Sequence, residues 1–273
     1  EQVVGIDCFT PYYDRAAKAA NLADLRDRPG FRLVETDLRN VPLDPLLAGV
    51  DVVYHQAAQP GVRLSWSEGF ATYDSCNVLA TQRLLEASVR AGVRRVVYAS
   101  SSSVYGNADR YPVTEADLPH PHSPYGVTKL AAEHLCGLYA ANHGLPTVSL
   151  RYFTVYGPRQ RPDMAFHRLI QAALDDQPFP LYGDGSHVRD FTFVGDVVAA
   201  NLLAASTDAT PGTVVNICAG GSTVLRDVID AVGHAVGAPV PVEQHAEQPG
   251  DVARTGGSYD AAHRVFGWEP RTS

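Results

Sequence analysis

Short apolar runs alternate with amphipathic stretches along most of this chain, and that alternation constrains its fold more than any other feature. VVGID (3–7), FRLVETD (31–37), DVVYHQAA (51–58), RRVVYASSSS (94–103) and PTVSLRYFTVYG (146–157) have the length and content of buried strands. Between them lie helical patterns at 68–91, where Leu84, Leu85, Ser88 and Val89 continue one face, and at 125–143, with Leu130, His134, Leu135 and Leu138. Parallel strands joined by helices imply a sheet covered on both faces, an α/β doubly wound architecture. After Gly157 the texture changes to PRQRPDM, a helical MAFHRLIQAALDD and the turn- and aromatic-rich PFPLYGDGSHVRDFTFV. The expected organisation is a sheet domain over 1–160, rejoined by 188–215, and a smaller C-terminal lobe made of 161–187 and 216–273.

Charge and cysteine usage narrow the function classes. Thirty acidic residues against 22 basic ones give a net charge of −8. That balance argues against nucleic acid as a bulk partner, because phosphate-backbone binding leaves a basic footprint. An anionic small substrate would need a local cluster of arginines. Cys8, Cys76, Cys136 and Cys218 lack metal-ligand or C-x-x-C spacing and read as free thiols of a reducing, cytoplasmic compartment. The ten histidines show no H-x-x-x-H pattern, so no metal site is expected. No apolar run reaches the roughly 18 residues of a membrane span, and EQVVGID is no signal peptide, so neither a membrane partner nor secretion is expected.

The strongest local signal is SPYGVTKLAAEH, where Tyr125 and Lys129 stand four residues apart at the start of a helix and share a face. An ammonium beside a phenol favours the phenolate, which makes Tyr125 a candidate general base. An isolated Y-x-x-x-K is ordinarily a surface pair. Here the strand upstream ends in Ser100, Ser101, Ser102 and Ser103, at the carboxyl edge where such sheets bind ligands. VVGID ending in Asp7 suits the second strand of a nucleotide-binding fold, whose acid holds a ribose about 20 residues after a glycine-rich turn. No such turn occurs in the sequence; either it lies upstream of residue 1 or the fold lacks it.

VVGID, DLR (37–39), HQAAQPGVR, YASSSSVYG, SPYGVTK and RYFTVYGPRQRPDM together resemble the extended short-chain dehydrogenase/reductase family, in particular its NAD-dependent nucleotide-sugar epimerases and dehydratases. The resemblance runs from residue 3 to FGWEP (266–270). It implies a Rossmann-type domain carrying NAD, a first strand and glycine-rich turn ahead of VVGID, and a smaller lobe that grips a nucleoside diphosphate sugar. Without that turn, tight NAD binding is not expected. The implied catalytic set is Ser101, Tyr125 and Lys129. Implied cofactor contacts are Asp7, Asp37, Leu38, Ala57, Ala58, Gln59, Ser100, Tyr152 and Phe153, with Tyr125 and Lys129. Arg189 and Arg254 match the family's diphosphate arginines, Tyr182 its uracil-side aromatic, and Arg63 is a further candidate. A homodimer through the helices at 68–91 and 125–143 is expected by analogy.

Dehydratases of the family carry Asp and Glu at the two positions after the catalytic hydroxyl, and UDP-glucuronate decarboxylases carry Glu at the second. Here these are Ser102 and Ser103, which leaves 4-epimerisation. Thr154 followed by VYGP-x-x-RPDM resembles the UDP-glucuronate 4-epimerases. Arg161 can pair with a carboxylate, with the hydroxyls of Ser102, Ser103 and Thr154 as donors. The expected reaction is conversion of UDP-glucuronate to UDP-galacturonate through a 4-keto sugar. UDP-glucose is the competing substrate, a UDP-sugar decarboxylase or dehydratase the competing reaction, and an NAD- or nucleotide-sugar-binding regulatory protein the non-enzymatic alternative.

Overall fold

The computed structural model describes residues 2–272. The strands are β1 Val3–Asp7, β2 Phe31–Glu35, β3 Val52–His55, β4 Arg95–Ser101, β5 Thr147–Tyr152, β6 Thr154–Tyr156, β7 Phe179–Tyr182, β8 Val188–Arg189, β9 Phe191–Phe193, β10 Thr213–Ile217, β11 Thr223–Val224 and β12 Val242–His245. The α-helices are α1 Arg15–Asn21, α2 Ala23–Arg26, α3 Asp44–Leu47, α4 Phe70–Tyr73, α5 Ala80–Ala91, α6 Pro124–His143, α7 Ala165–Leu174, α8 Val194–Ser206, α9 Leu225–Val236 and α10 Asp260–Phe266.

The strands of the first half are parallel, as the alternation predicts, and they form two sheets. One has the order β10-β5-β4-β3 and the other is the pair β1-β2. All seven residues of β4 are buried. Val97, Val148, Leu150, Val215 and Ile217 form one face of the larger sheet under Val197, Ala200 and Ala204 of α8. Val96 and Tyr98 form the other face, packed with Leu145 ahead of β5 under Leu85 of α5 and Ala132 and Cys136 of α6. Each such aliphatic side chain contributes about 1.5–3 kcal/mol by leaving water, which makes this double-faced sheet the stable centre of the molecule.

Three local outcomes differ from the simple pattern. PTVSLRYFTVYG is two strands: Phe153 turns its ring into a cluster with Val104, Tyr105, Val113 and Cys218, and β6 pairs with β9 instead of continuing β5. The helical stretch at 68–91 contains α4, a π-helical segment at Asp74–Leu79 and then α5. The end of the chain returns to the large sheet, where Ala262, Phe266 and Trp268 join its α8-side core, with Trp268 Nε1 donating to the Asp196 carbonyl at 2.9 Å. Smaller sheets of β7 with β12 and β8 with β11 carry α7 and α9 around Leu169, Phe179, Leu181, Val228 and Ile229.

Candidate active site

The site is organised by the end of β4 and the start of α6. The Ser123 hydroxyl caps α6 by accepting from Gly126 N at 3.1 Å, and Pro124 opens the helix where no amide donor is needed. Gly126 has a steric reason: a Cβ there would stand 2.5 Å from the Ser103 carbonyl oxygen. Its absence lets the first turn of α6 lie against the turn Ser102–Val104 that ends β4. Ser101 and Tyr125 are thereby brought close enough for the Ser101 hydroxyl to act on the phenol and lower its pKa. The ring of Tyr73 meets that of Tyr125 edge-on at 6.2 Å, and its own hydroxyl is tied to the Pro60 carbonyl at 2.8 Å.

One turn along α6, Lys129 is only 3 % exposed, and its ammonium lies 4.7 Å from the centre of the Tyr98 ring. Burial lowers its pKa to about 8, opposed by the nearby Cys136 and Glu133. His55 packs against Tyr98 and meets the Thr81 hydroxyl at 2.8 Å; burial, with the Lys129 charge, lowers its pKa to about 3, so it is neutral. The phenol of Tyr125 behaves differently from the expectation that Lys129 depresses it. Burial raises its pKa, and the opposing influences are the Ser101 hydrogen bond and the charge of Arg161. The Lys129 ammonium lies over the Tyr98 ring.

Glu133 and Arg151, 4 % and 5 % exposed, form a buried ion pair beneath this site. Arg151 donates to Glu133 through Nε at 3.0 Å and Nη2 at 2.6 Å, and through Nη1 to the Tyr105 hydroxyl at 2.7 Å. Tyr105 donates to Asn216 at 2.8 Å, so β4, β5, β10 and α6 are linked through polar contacts. Ser100 belongs to this interior network: its hydroxyl donates to Glu133 at 2.6 Å and is turned away from Ser101. Neither Glu133 nor Arg151 is marked out by the sequence reading, because a single Glu on a helix ordinarily reads as solvated.

The residues expected to hold a dinucleotide lie at the carboxyl ends of successive strands, where open α/β sheets bind ligands. Asp7 ends β1 exposed, with Oδ1 accepting from Phe9 N at 2.6 Å. Ala57, Ala58 and Gln59 follow β3, and Asn77 fixes their loop by accepting from Gln59 N at 2.7 Å and donating to its carbonyl at 3.1 Å. The Asp37 carboxylate is taken up by Arg39, and Leu38 packs beside Leu43 and Leu47. The Tyr152 hydroxyl donates to Asn201 at 2.9 Å and accepts from Gln56 at 3.1 Å; burial raises its pKa to about 12. Phe153 is inside the cluster described above. A strand-end carboxylate, a fixed backbone loop and a buried ammonium form a donor and acceptor set that fits the hydroxyls and phosphates of a dinucleotide.

The arginines form a second group. Arg63 lies 4.1 Å from the Tyr182 ring and donates to Asp251 at 2.8 Å. Arg189 donates to the carbonyls of Val188 at 2.9 Å and Ala253 at 3.3 Å; burial lowers its pKa, reinforced by Arg63 and opposed by Asp251 and Tyr111. Arg254 lies 4.8 Å over Tyr111, donates to the Ser222 hydroxyl at 3.0 Å, and borders a cavity of about 440 Å³ walled by Gly220, Gly221 and Gly256. Next to Arg189, Asp190 is fully buried and accepts from the amides of Ala219, Gly220 and Gly257. It pins the segments that carry the arginines, a role no motif signalled. Ser102, Ser103 and Thr154 are half-buried, and Thr154 N donates to the Asp190 carbonyl at 3.1 Å. Arg161 is near enough to Tyr125 for its charge to act on the phenol, but one edge of its guanidinium is held by Asp163.

Comparison with known proteins converges on one family. Residues 5–218 match the model of the NAD dependent epimerase/dehydratase family. The chain is 39 % identical to YtcB of Bacillus subtilis, an uncharacterized UDP-glucose epimerase, over 99 % of this chain and 85 % of that protein. It is 35 % identical to a probable UDP-glucuronate 4-epimerase of Rhizobium meliloti, over 99 % of this chain and 86 % of that one. Among solved structures, UDP-glucuronic acid 4-epimerase of Bacillus cereus in complex with UDP-glucuronic acid and NAD superposes with a TM-score of 0.96 at 41 % identity, covering 100 % of this chain and 87 % of that one. The parallel sheets, the serine–tyrosine contact at their carboxyl edge and this similarity over nearly the whole chain agree: it belongs to the NAD dependent epimerase/dehydratase family.

Proposed function

We propose that this chain is an isomerase, an NAD-dependent 4-epimerase that converts UDP-glucuronate to UDP-galacturonate. The observation that carries the reading is the grouping of Ser101, Tyr125 and Lys129 at the end of β4, with Arg161 beside the phenol and hydroxyls alone at 102 and 103. NAD supplies the acceptor and donor of the hydride at the sugar C4. As the phenolate, the form that the Ser101 hydroxyl and the Arg161 charge favour, Tyr125 takes the proton of the 4-hydroxyl as C4 is oxidised and returns it after the 4-keto sugar has presented its other face. Ser101 donates to the same oxygen and relays the proton. Lys129, Asp7 and the loop 57–59 hold the cofactor's ribose and phosphate groups. Arg63, Arg189 and Arg254 hold the substrate diphosphate, with Tyr182 against the uracil.

The 4-keto glucuronate is a β-keto acid and can lose carbon dioxide. A carboxylate held by Arg161, with Ser102, Ser103 and Thr154 as neighbouring donors, keeps the sugar oriented and restrains that loss. UDP-glucose is the second reading, supported by the name of the Bacillus subtilis relative. Incubation with UDP-glucuronate or UDP-glucose and NAD, followed by proton NMR, decides. UDP-galacturonate is the expected product; a UDP-pentose identifies a decarboxylase, and binding without turnover identifies a regulatory protein.

The same reading divides the molecule into a sheet domain for NAD and a smaller lobe for the sugar nucleotide. It takes the active form as a cytoplasmic homodimer. Val127 and Leu138 on α6, with Leu79 just before α5, are large apolar side chains on exposed faces of two helices that pack together, and the four cysteines are free thiols. Sedimentation at micromolar concentration is expected to give twice the monomer mass.

A further inference from the structure

Arg161, whose charge acts on the Tyr125 phenol, has one edge of its guanidinium already engaged. Nε donates to Asp163 Oδ1 at 2.8 Å, Nη2 donates to Oδ2 at 3.0 Å, and Nη2 also lies 3.2 Å from Met164 Sδ. Asp163 accepts a further hydrogen bond from the Tyr12 hydroxyl at 3.1 Å, and the Tyr12 ring lies 5.7 Å from the guanidinium carbon. A guanidinium carries five N–H donors in a planar fork. This grip uses its side edge and, among the described residues, leaves the Nη1 hydrogens for another acceptor. Tyr12 is itself confined: its hydroxyl stands 2.7 Å from where a Cβ of Gly61 would be, and Gly61 has φ +97°, open to glycine. The loops after β1, after β3 and after β6 therefore meet at the Tyr12–Asp163–Arg161 contact.

We propose that Asp163, braced by Tyr12, is a positioning and specificity-determining residue that holds Arg161 by its side edge and presents the Nη1 end to the carboxylate of an acidic sugar. The inference rests on the reading of the site as a UDP-glucuronate 4-epimerase. An arginine in a proline-flanked loop has several rotamers, most of them directed to water; the bidentate pair selects one before substrate arrives. A neutral hexose presents a hydroxymethyl group there and gains little from the fixed guanidinium. Asp163 also carries the same charge as the incoming carboxylate, so orientation must outweigh a repulsion, and two substitutions separate those effects. Asp163→Ala removes both acceptor and charge, whereas Asp163→Asn keeps one acceptor and removes the charge.

The test measures, on NAD-loaded enzyme, calorimetric Kd values for UDP-glucuronate and UDP-glucose together with UDP-glucuronate turnover. Asp163→Ala is expected to weaken UDP-glucuronate about tenfold and UDP-glucose less than about twofold, with KM moving more than kcat. Asp163→Asn is expected to keep most of the selectivity. Tyr12→Phe, which retains the ring and so the packing, is expected to move selectivity in the same direction by about threefold. Equal weakening of both ligands, or tighter UDP-glucuronate binding in both Asp163 variants, overturns the inference. A wild-type enzyme that fails to convert UDP-glucuronate overturns the reading of the site; one that converts it while selectivity ignores Asp163 and Tyr12 overturns this inference alone.

Discussion

The β4–α6 end of the site and the arginine group handle charge in opposite ways. At the β4–α6 end, Lys129, Glu133 and Arg151 are each at most 5 % exposed and are fixed by short contacts and a ring face. At the arginine end, Arg63 and Arg254 are exposed, rest on tyrosine rings and make single contacts with an aspartate or a serine. Buried charges are costly to rearrange, whereas exposed ones exchange partners freely. On the proposed reading of the site, the first end holds geometry through a reaction and the second trades weak partners for a diphosphate. In an acidic protein, a few locally ordered cations can recognise an anion whatever the net charge.

The largest effect is expected at Tyr125. Tyr125→Phe is expected to lower kcat by about 10³- to 10⁴-fold, with nucleotide-sugar Kd changed little, in an NMR turnover assay alongside calorimetry. A variant with full activity removes the proposed chemistry. Next comes the buried pair: Glu133→Gln leaves Arg151 short of its charge partner and is expected to cost about 3–5 kcal/mol in urea unfolding. A cost near zero would mean that water reaches the pair.

Lys129 sharpens the contrast through pH. Its folded pKa, about 8, is below the unfolded value, so from pH 8 to about 10.4 the unfolded chain binds a proton that the folded chain does not. Stability from this group accordingly rises with pH across that window and is lost as pH falls through about 8, on the order of 3 kcal/mol in all. Lys129→Met is expected to flatten that part of the wild-type curve, measured as Tm against pH; parallel curves for the two proteins would show that the ammonium is solvated. Arg189→Ala is expected to raise the KM for either UDP-sugar by about 30-fold with kcat nearly constant, since it removes a half-buried charge from the anion end. Arg254→Ala, exposed and singly bonded, is expected to change KM by less than about fivefold.

These outcomes bear on what the sequence could reveal. The strands and the helix at 124–143 follow from local patterns of apolar spacing, whereas only the family resemblance singles out Ser101 among the four serines. The Glu133–Arg151 pair does not, since its partners lie on α6 and β5 and only burial distinguishes them from surface charges. The bend at Phe153 was equally hidden: an unbroken apolar run carries no mark of the cluster with Tyr105 and Val113 that turns its ring inward. Arg161 was visible as a cation, but its attachment to Asp163 is set by loop geometry that hydrophobic periodicity does not encode.

The neighbour relations of β5 also bear on how the molecule is made. Its partner β10 and its covering residues Ala262, Phe266 and Trp268 all come much later in the chain. A nascent polypeptide emerging in order presents Val148 and Leu150 well before Ile217 and Trp268 exist to cover them. That apolar face waits for a distant segment, and such non-local closure is slow and prone to association with other chains. Synthesis in the cell therefore favours conditions in which this half-made sheet is shielded, and substitutions around Trp268 are expected to lower the yield of folded protein before they alter any kinetic constant.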